Sequence, residues 1–216
     1  MKFEAVIFDF GGVFTTSPVQ NFAAYEKANG LPERFIGGVI KARIHDGAFA
    51  KFERAEISAD EFDQAFAEET RAAGHEVSGS TLLSLMSLDV YPEMIAALRK
   101  VKSNSYKTGC ITNNMPTLSS TSMVSDPDAM KIVAETFSMF DHVIESSKAG
   151  VRKPEPKIYE MMCDALGVAP ARCIFIDDLG VNLKPARDMG MTTIKAPFGD
   201  VSPAIRILYE TLAIEA

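Results

Sequence analysis

The chain has 216 residues, 47% of them hydrophobic and 24% charged, and a formal net charge of -7 at pH 7. That size suits one α/β domain, or one domain carrying an inserted module, with enough apolar residues for a sizeable core. The acidic balance argues against nucleic acid or an anionic membrane as the main partner, but not against a phosphorylated small molecule, because local cations and a metal can overrule net charge.

No apolar run approaches the length of a membrane span, and no signal-peptide pattern precedes the first strand. The three cysteines, Cys110, Cys163 and Cys173, lack metal-ligand or redox spacing. They read as reduced core residues of a cytoplasmic protein. The chain opens on Val6-Ile7-Phe8-Asp9-Phe10-Gly11-Gly12-Val13-Phe14-Thr15. A short apolar run of this kind reads as a buried parallel strand. It ends on a carboxylate, costly there unless paired, and then on two glycines that let the backbone turn sharply and approach a ligand. Asp9 is either a strand-end cap for the turn or a site residue at the carboxyl edge of the sheet.

From Ser17 to about Leu88 the texture turns helical. Ser17-Pro18 reads as an N-cap with proline at the first helical position, followed by Phe22, Tyr25 and Ala28 on one face. Pro32 is expected to start a second helix with a stripe at Phe35, Ile36, Val39 and Ile40. Ser58-Ala59-Asp60-Glu61 is a capping box, with Phe62, Ala65 and Phe66 behind it. The expectation is a helical bundle over residues 17–88, inserted into a core made of 1–16 and 89–216, with hinges at Thr15 to Pro18 and Ser87 to Pro92.

Beyond Pro92 helix and strand alternate. Met94, Ile95, Leu98 and Val101 make a helix face, and Lys107 to Thr112 is a strand leading into Asn113-Asn114. The polar stretch Met115 to Asp128 reads as a long loop or a loop with a weak helix, and as a candidate mobile rim. A helix over Lys131 to Phe140, a strand over His142 to Glu145 and a basic loop, Lys148 to Pro154, follow. The next helix turns Ile158, Tyr159, Met162 and Leu166 inward. Cys173 to Ile176 is a strand ending in Asp177-Asp178, Val181 to Met189 a helix, Met191 to Lys195 a last strand, and Ser202-Pro203 caps the final helix. This alternation predicts a doubly wound parallel sheet with helices on both faces, an α/β fold of Rossmann-like type.

Asp9, Thr112 and Asp177-Asp178 each end a strand, and Lys153 follows another. In a parallel sheet such ends share one edge, so these groups can converge. Each has a bland alternative: a turn at Thr112-Asn113, a solvated Lys153, a helix N-cap at Asp177-Asp178. Together they suit a hard, oxygen-rich Mg²⁺ site, phosphate held by a hydroxyl and backbone N–H groups, a lysine to balance charge, and Asp9 as nucleophile at phosphorus.

The order and context of Phe8-Asp9-Phe10-Gly11-Gly12-Val13, Ile111-Thr112-Asn113, Arg152-Lys153-Pro154-Glu155-Pro156 and Phe175-Ile176-Asp177-Asp178 resemble the four motifs of the haloacid dehalogenase (HAD) superfamily. The helical insert sits where that family carries its first-class cap. Lys153-Pro154-Glu155-Pro156-Lys157-Ile158-Tyr159 and the run Asp177 to Arg187 are similar to the N-terminal phosphatase domain of soluble epoxide hydrolases. The resemblance implies a Mg²⁺-dependent hydrolase of a small phosphorylated molecule. It implies Asp9 as nucleophile and metal ligand, the Gly11 carbonyl as a second ligand, and Asp178 with Asp177 as the acidic metal contact. Thr112 and Asn113, with the Gly11-Gly12 turn, would hold phosphate. Lys153 would fix the nucleophile and the transferred group, and Asn182 would sit below the metal site.

One position departs from the phosphatase pattern, which has a second Asp two residues after the nucleophile. Gly11 keeps a backbone carbonyl there and removes the acid/base. Such groups contribute about 10²–10⁴-fold, so alkyl phosphates are expected to react slowly unless Thr15, Thr16, a cap residue or the substrate stands in. The same glycine opens two alternatives: a metal-free 2-haloacid dehalogenase using Asp9 against carbon, and a weakly catalytic ligand-binding scaffold. The paired acids Asp177 and Asp178 favour the metal-dependent reading over the dehalogenase.

Overall fold

The computed structural model describes residues 2–86, 89–114 and 127–215. The hinge residues 87 and 88 and the polar stretch 115–126, with the mobile-rim expectation, lie outside these described residues. Five parallel strands form one sheet: β1 (Ala5–Phe8), β2 (Lys107–Thr112), β3 (His142–Glu145), β4 (Cys173–Asp177) and β5 (Thr192–Lys195), in the order β3-β2-β1-β4-β5. The first strand in sequence is therefore the central one, paired on both sides, and all four of its residues are buried. That is why Ala5-Val6-Ile7-Phe8 is apolar without alternation.

Side chains of β1 still alternate between two cores. Val6 and Phe8 join Cys110, Ile174 and Ile176 under α6 (Pro92–Ser103), α7 (Pro127–Met139) and α11 (Ser202–Leu212). Ala5 and Ile7 join Ile111 and Phe175 under α9 (Pro156–Leu166) and α10 (Gly180–Asp188). The sheet is doubly wound, as expected. Gly109 in β2 lets α9 close in, because a Cβ there would meet the Met162 sulfur. A four-residue helix, α8 (Ser146–Ala149), follows β3 and takes in Lys148 and Ala149, which the sequence assigns to a loop.

Between β1 and α6 lie five helices: α1 (Pro18–Ala28), α2 (Phe35–Ala42), α3 (Ala48–Glu53), α4 (Ala59–Ala72) and α5 (Gly79–Ser84). They bury a separate cluster that includes Phe22, Ile36, Phe52, Phe62, Phe66 and Leu82. Phe52 and Phe62 stack with ring centroids 4.5 Å apart. The capping box at α4 forms as expected, with Ser58 and Glu61 satisfying each other's backbone N–H groups. Other local expectations need correction. Arg34 takes a left-handed conformation, so α2 begins at Phe35 rather than at Pro32. Ala28 is exposed, and Glu26 is buried instead, accepting hydrogen bonds from the N–H groups of Arg34 and Ile36 at 2.8 and 2.9 Å. Ser17 makes no side-chain cap bond to α1. Ser202 is the first residue of α11 rather than its cap, and its N–H bonds to Asp200.

The helical module meets the sheet domain where the chain leaves and returns, and again at α3. Where the chain leaves and returns, Thr15 bridges Val90, the Thr16 N–H donates to the Asp89 carbonyl, and the Tyr91 N–H donates to the Phe14 carbonyl, both at 2.7 Å. At the second place α3 meets the sheet domain through buried charge. Arg152 pairs with Glu53 at 2.5 Å and donates to the Ile44 carbonyl, while the Ser146 hydroxyl donates to the Glu53 carbonyl at 2.8 Å. Arg54 adds a pair with Glu155 at 3.2 Å.

Candidate active site

The strand ends converge. Asp9 follows β1, and its N–H still donates to the Ile176 carbonyl at 2.8 Å, so the residue is held in line with the sheet. Its carboxylate accepts from the Phe10 N–H and pairs with the Lys153 ammonium, both at 2.6 Å. The same ammonium pairs with Asp177 at 3.0 Å. Lys153 is 1% exposed, which rules out the solvated reading of that charge. Its loop is fixed by Asn113, whose side-chain amide donates to the Lys153 carbonyl and accepts from the Lys153 N–H, each at 2.9 Å.

Asp177, the last residue of β4, is fully engaged. Besides Lys153 it accepts from the Leu179 N–H at 2.8 Å and from the Asn182 amide at 3.1 Å to each oxygen. Asn182 is itself held by the Tyr159 hydroxyl, which donates to its carbonyl at 2.8 Å. Asp178 turns the other way. Its carboxylate lies against the Ser17 hydroxyl and under Gly12. Gly12 has a φ of +76° and its missing Cβ would overlap the Asp178 carboxylate, so both conformation and space require glycine there. Thr112 is buried at the end of β2, beside Asn113.

Asp9, Asp177 and Asp178 bring carboxylate oxygens within 4.8 Å of one another, all three buried. Burial raises the Asp9 carboxyl well above its usual range; Asp177 and Asp178 add to the rise, and Lys153 opposes it. Asp178 is pushed up to about 7, by burial first and by Asp177 next. For Lys153, burial works against the ammonium, but Asp177 and Asp9 outweigh it and hold the proton more firmly than in a free lysine. Three clustered carboxylates with one ammonium, which pairs with two of them, leave surplus negative charge in a dry place. An all-oxygen donor set with such a surplus fits a hard divalent cation.

The expected site residues Asp9, Gly11, Gly12, Thr112, Asn113, Lys153, Asp177 and Asp178 thus lie at one edge of the sheet. Ser17 beside Asp178, and the Glu53–Arg152 pair next to Lys153 in sequence, were not expected. Nothing local in the sequence marks them, since Glu53 and Arg152 are 99 positions apart. The two hydroxyls proposed as stand-ins for the missing acid are engaged at the hinge: Thr15 donates to the Thr16 carbonyl, and Thr16 accepts from the Asp89 N–H.

A family model described as a haloacid dehalogenase-like hydrolase matches residues 3–190. The chain is 30% identical to phosphatase MT3486 of Mycobacterium tuberculosis, over 88% of this chain and 86% of that protein. It is 29% identical to bifunctional epoxide hydrolase 2 of Rattus norvegicus, over 96% of this chain. The chain spans 38% of that rat protein's length, and between 18% and 40% of the other long curated relatives it matches. Among solved structures, the HAD family enzyme BT-2542 of Bacteroides thetaiotaomicron, in complex with magnesium and inorganic phosphate, has the same fold. Its TM-score is 0.57 at 21% identity, covering 92% of this chain and 96% of that one.

Proposed function

Because the chain belongs to the haloacid dehalogenase-like hydrolases, we propose that it is a Mg²⁺-dependent phosphatase acting on a small phosphorylated molecule through an aspartyl phosphate on Asp9. The observation that carries this reading is the cluster of three buried carboxylates at the carboxyl edge of the sheet, two of them paired with one buried lysine. Similarity to a phosphatase over most of both chains supports it.

Asp9 and Asp178, with the Gly11 carbonyl, would hold Mg²⁺; the oxygens of Asp177 are already taken by Lys153, Leu179 and Asn182. The ion supplies charge neutralisation and orientation for a bound phosphate. The chain's own residues do the rest. Lys153 holds Asp9 in place and balances charge on the transferred group. The Thr112 hydroxyl and the backbone N–H groups that follow Asp9 and Thr112 would bind phosphate oxygens, while the Asn113 side chain fixes the Lys153 loop. Asp177, Asn182 and Tyr159 form the support that keeps Lys153 aimed. Residues 17–88 serve as a cap that closes over the substrate and excludes water, hinged at the Thr15–Val90 bridge. The paired acids favour this reading over carbon-directed dehalogenation, which has no use for a second and third carboxylate and would repel a haloacid. Three buried free thiols suit a reducing, cytoplasmic setting, and among the described residues no helix is long and apolar enough to cross a membrane.

The test is hydrolysis of an aryl phosphate with Mg²⁺ and with a chelator. The expected result is phosphate release that requires Mg²⁺ and returns when the ion is restored. Release that ignores the chelator, or halide release from a 2-haloacid with no phosphatase activity, overturns the proposal.

A further inference from the structure

We infer that the Asp9 site is specialised for phosphoryl donors whose leaving group departs as a stable anion (aryl phosphates, acyl phosphates and phosphoanhydrides), and that the phosphoryl group, once on Asp9, is released slowly. This rests on the phosphatase reading above and narrows its substrate class.

Two proton movements decide the matter. In the first step an Asp9 oxygen bonds to phosphorus, and the bond from phosphorus to the leaving oxygen breaks with its electron pair on that oxygen. An alkoxide needs a proton at that moment; a phenolate, a carboxylate or a phosphate does not. In the second step a water oxygen bonds to phosphorus, the bond to Asp9 breaks with the pair returning to the carboxylate, and the water loses a proton to solvent. A well-placed acid/base group is worth about 10²–10⁴-fold to such a step.

The charged side chains that act most strongly on Asp9 are Lys153, Asp177 and Asp178. Each is committed. The Lys153 ammonium spans Asp9 and Asp177, at 2.6 and 3.0 Å. Both Asp177 oxygens accept hydrogen bonds, one from Leu179 and both from Asn182. Asp178 is wedged under Gly12, facing Ser17, where it would serve as a ligand for the cation. Position 11 is two residues past the nucleophile and carries no side chain. The Thr15 hydroxyl donates to the Thr16 carbonyl, and the Thr16 hydroxyl is held at the hinge by the Asp89 N–H. The described groups around Asp9 can therefore stabilise charge on the transferred phosphoryl but are not free to hand over or remove a proton. Good leaving groups escape the first handicap, and no substrate escapes the second. With a good leaving group the second step becomes the slow one, and phosphorylated Asp9 builds up.

The experiment measures kcat/KM for a series of aryl phosphates and one primary alkyl phosphate, with Mg²⁺, for the wild type and Gly11→Asp, and follows phenolate release in stopped flow. Gly11 lies outside the left-handed region, so its backbone accepts a side chain. In the wild type, kcat/KM should fall steeply as the leaving group becomes less acidic. The aryl-to-alkyl ratio should exceed that of Gly11→Asp by about 10²–10⁴-fold. The best aryl phosphate should give a burst of one phenolate per enzyme before the steady rate, and Gly11→Asp should lose it. Should that variant not fold, the wild-type slope and burst decide alone. Equal kcat/KM for alkyl and aryl esters, or no burst with the best aryl ester, overturns the inference while leaving the phosphatase reading in place. No Mg²⁺-dependent release from any ester removes both.

Discussion

Asp9→Asn is expected to abolish Mg²⁺-dependent phosphate release while leaving the fold intact. The loss in kcat should be on the order of 10⁴–10⁶-fold, the scale seen when other covalent enzymes lose their nucleophile. The structural side of the prediction has the opposite sign from that of most buried-site changes. The Asp9 carboxylate is buried against two further acids, and burial with their repulsion raises its carboxyl well above the usual range. A carboxyl raised in the folded state adds stability only while protonated, and that contribution is gone once pH rises through its folded value. The ionised form is thus a burden on the fold, lightened by Lys153 and the Phe10 N–H. Asparagine keeps the shape, can still accept from the Phe10 N–H, and drops one negative charge, while Lys153 retains Asp177. In buffer with chelator, Asp9→Asn should unfold at or above the wild-type denaturant midpoint. A variant that keeps a substantial fraction of turnover contradicts the role of Asp9. One that loses activity together with stability leaves misfolding as the cause.

The second large effect lies where α3 meets the sheet domain. Glu53 and Arg152 are both about 5% exposed and share a charge-assisted contact at 2.5 Å. Burial pushes the Glu53 carboxyl up, and Arg152 pulls it back. Removing one partner strands the other as an unpaired buried charge, which costs about 3–5 kcal/mol, whereas replacing both by apolar side chains of similar volume is often near neutral. Glu53→Ala and Arg152→Met should each lose about that much by denaturant unfolding. For a chain of this size that corresponds to roughly 6–20 °C in Tm. Glu53→Met with Arg152→Met should recover most of it. Because Arg152 adjoins Lys153, the single variants should also lower kcat/KM. Losses under about 1 kcal/mol for the singles would show that water reaches the pair and that the module is seated by other contacts.

What the sequence reveals depends on how local the signal is. The strands stand out as short runs with an apolar centre that end at or just before a polar group, and the bounds of β2 and β3 match that reading. The long helices α4, α6 and α9 carry enough turns for a face to show. The six-residue helices α3 and α5 and the four-residue α8 do not, since fewer than two turns carry no period. Within the site, Asp9, Asp177 and Asp178 are visible because charge at the end of a buried strand is anomalous, whereas Lys153, in a loop, reads alone as a solvated charge and stands out only beside them. Ser17 reads as an ordinary cap, and only the sheet topology, with β1 next to β4, brings it against Asp178. The Glu53–Arg152 pair has no sequence signal, because both residues look like common surface charges until the chain folds.

The central claim is that a phosphoryl group passes through Asp9. It is tested most directly by acid-quenching the enzyme within its first turnover of an aryl phosphate and mapping the modified peptide by mass spectrometry. The account predicts a single phosphoryl group on the peptide that begins the chain, located at Asp9, dependent on Mg²⁺ and missing from Asp9→Asn. Phosphate release with the protein unmodified throughout, or a phosphoryl group on any other residue, would contradict it.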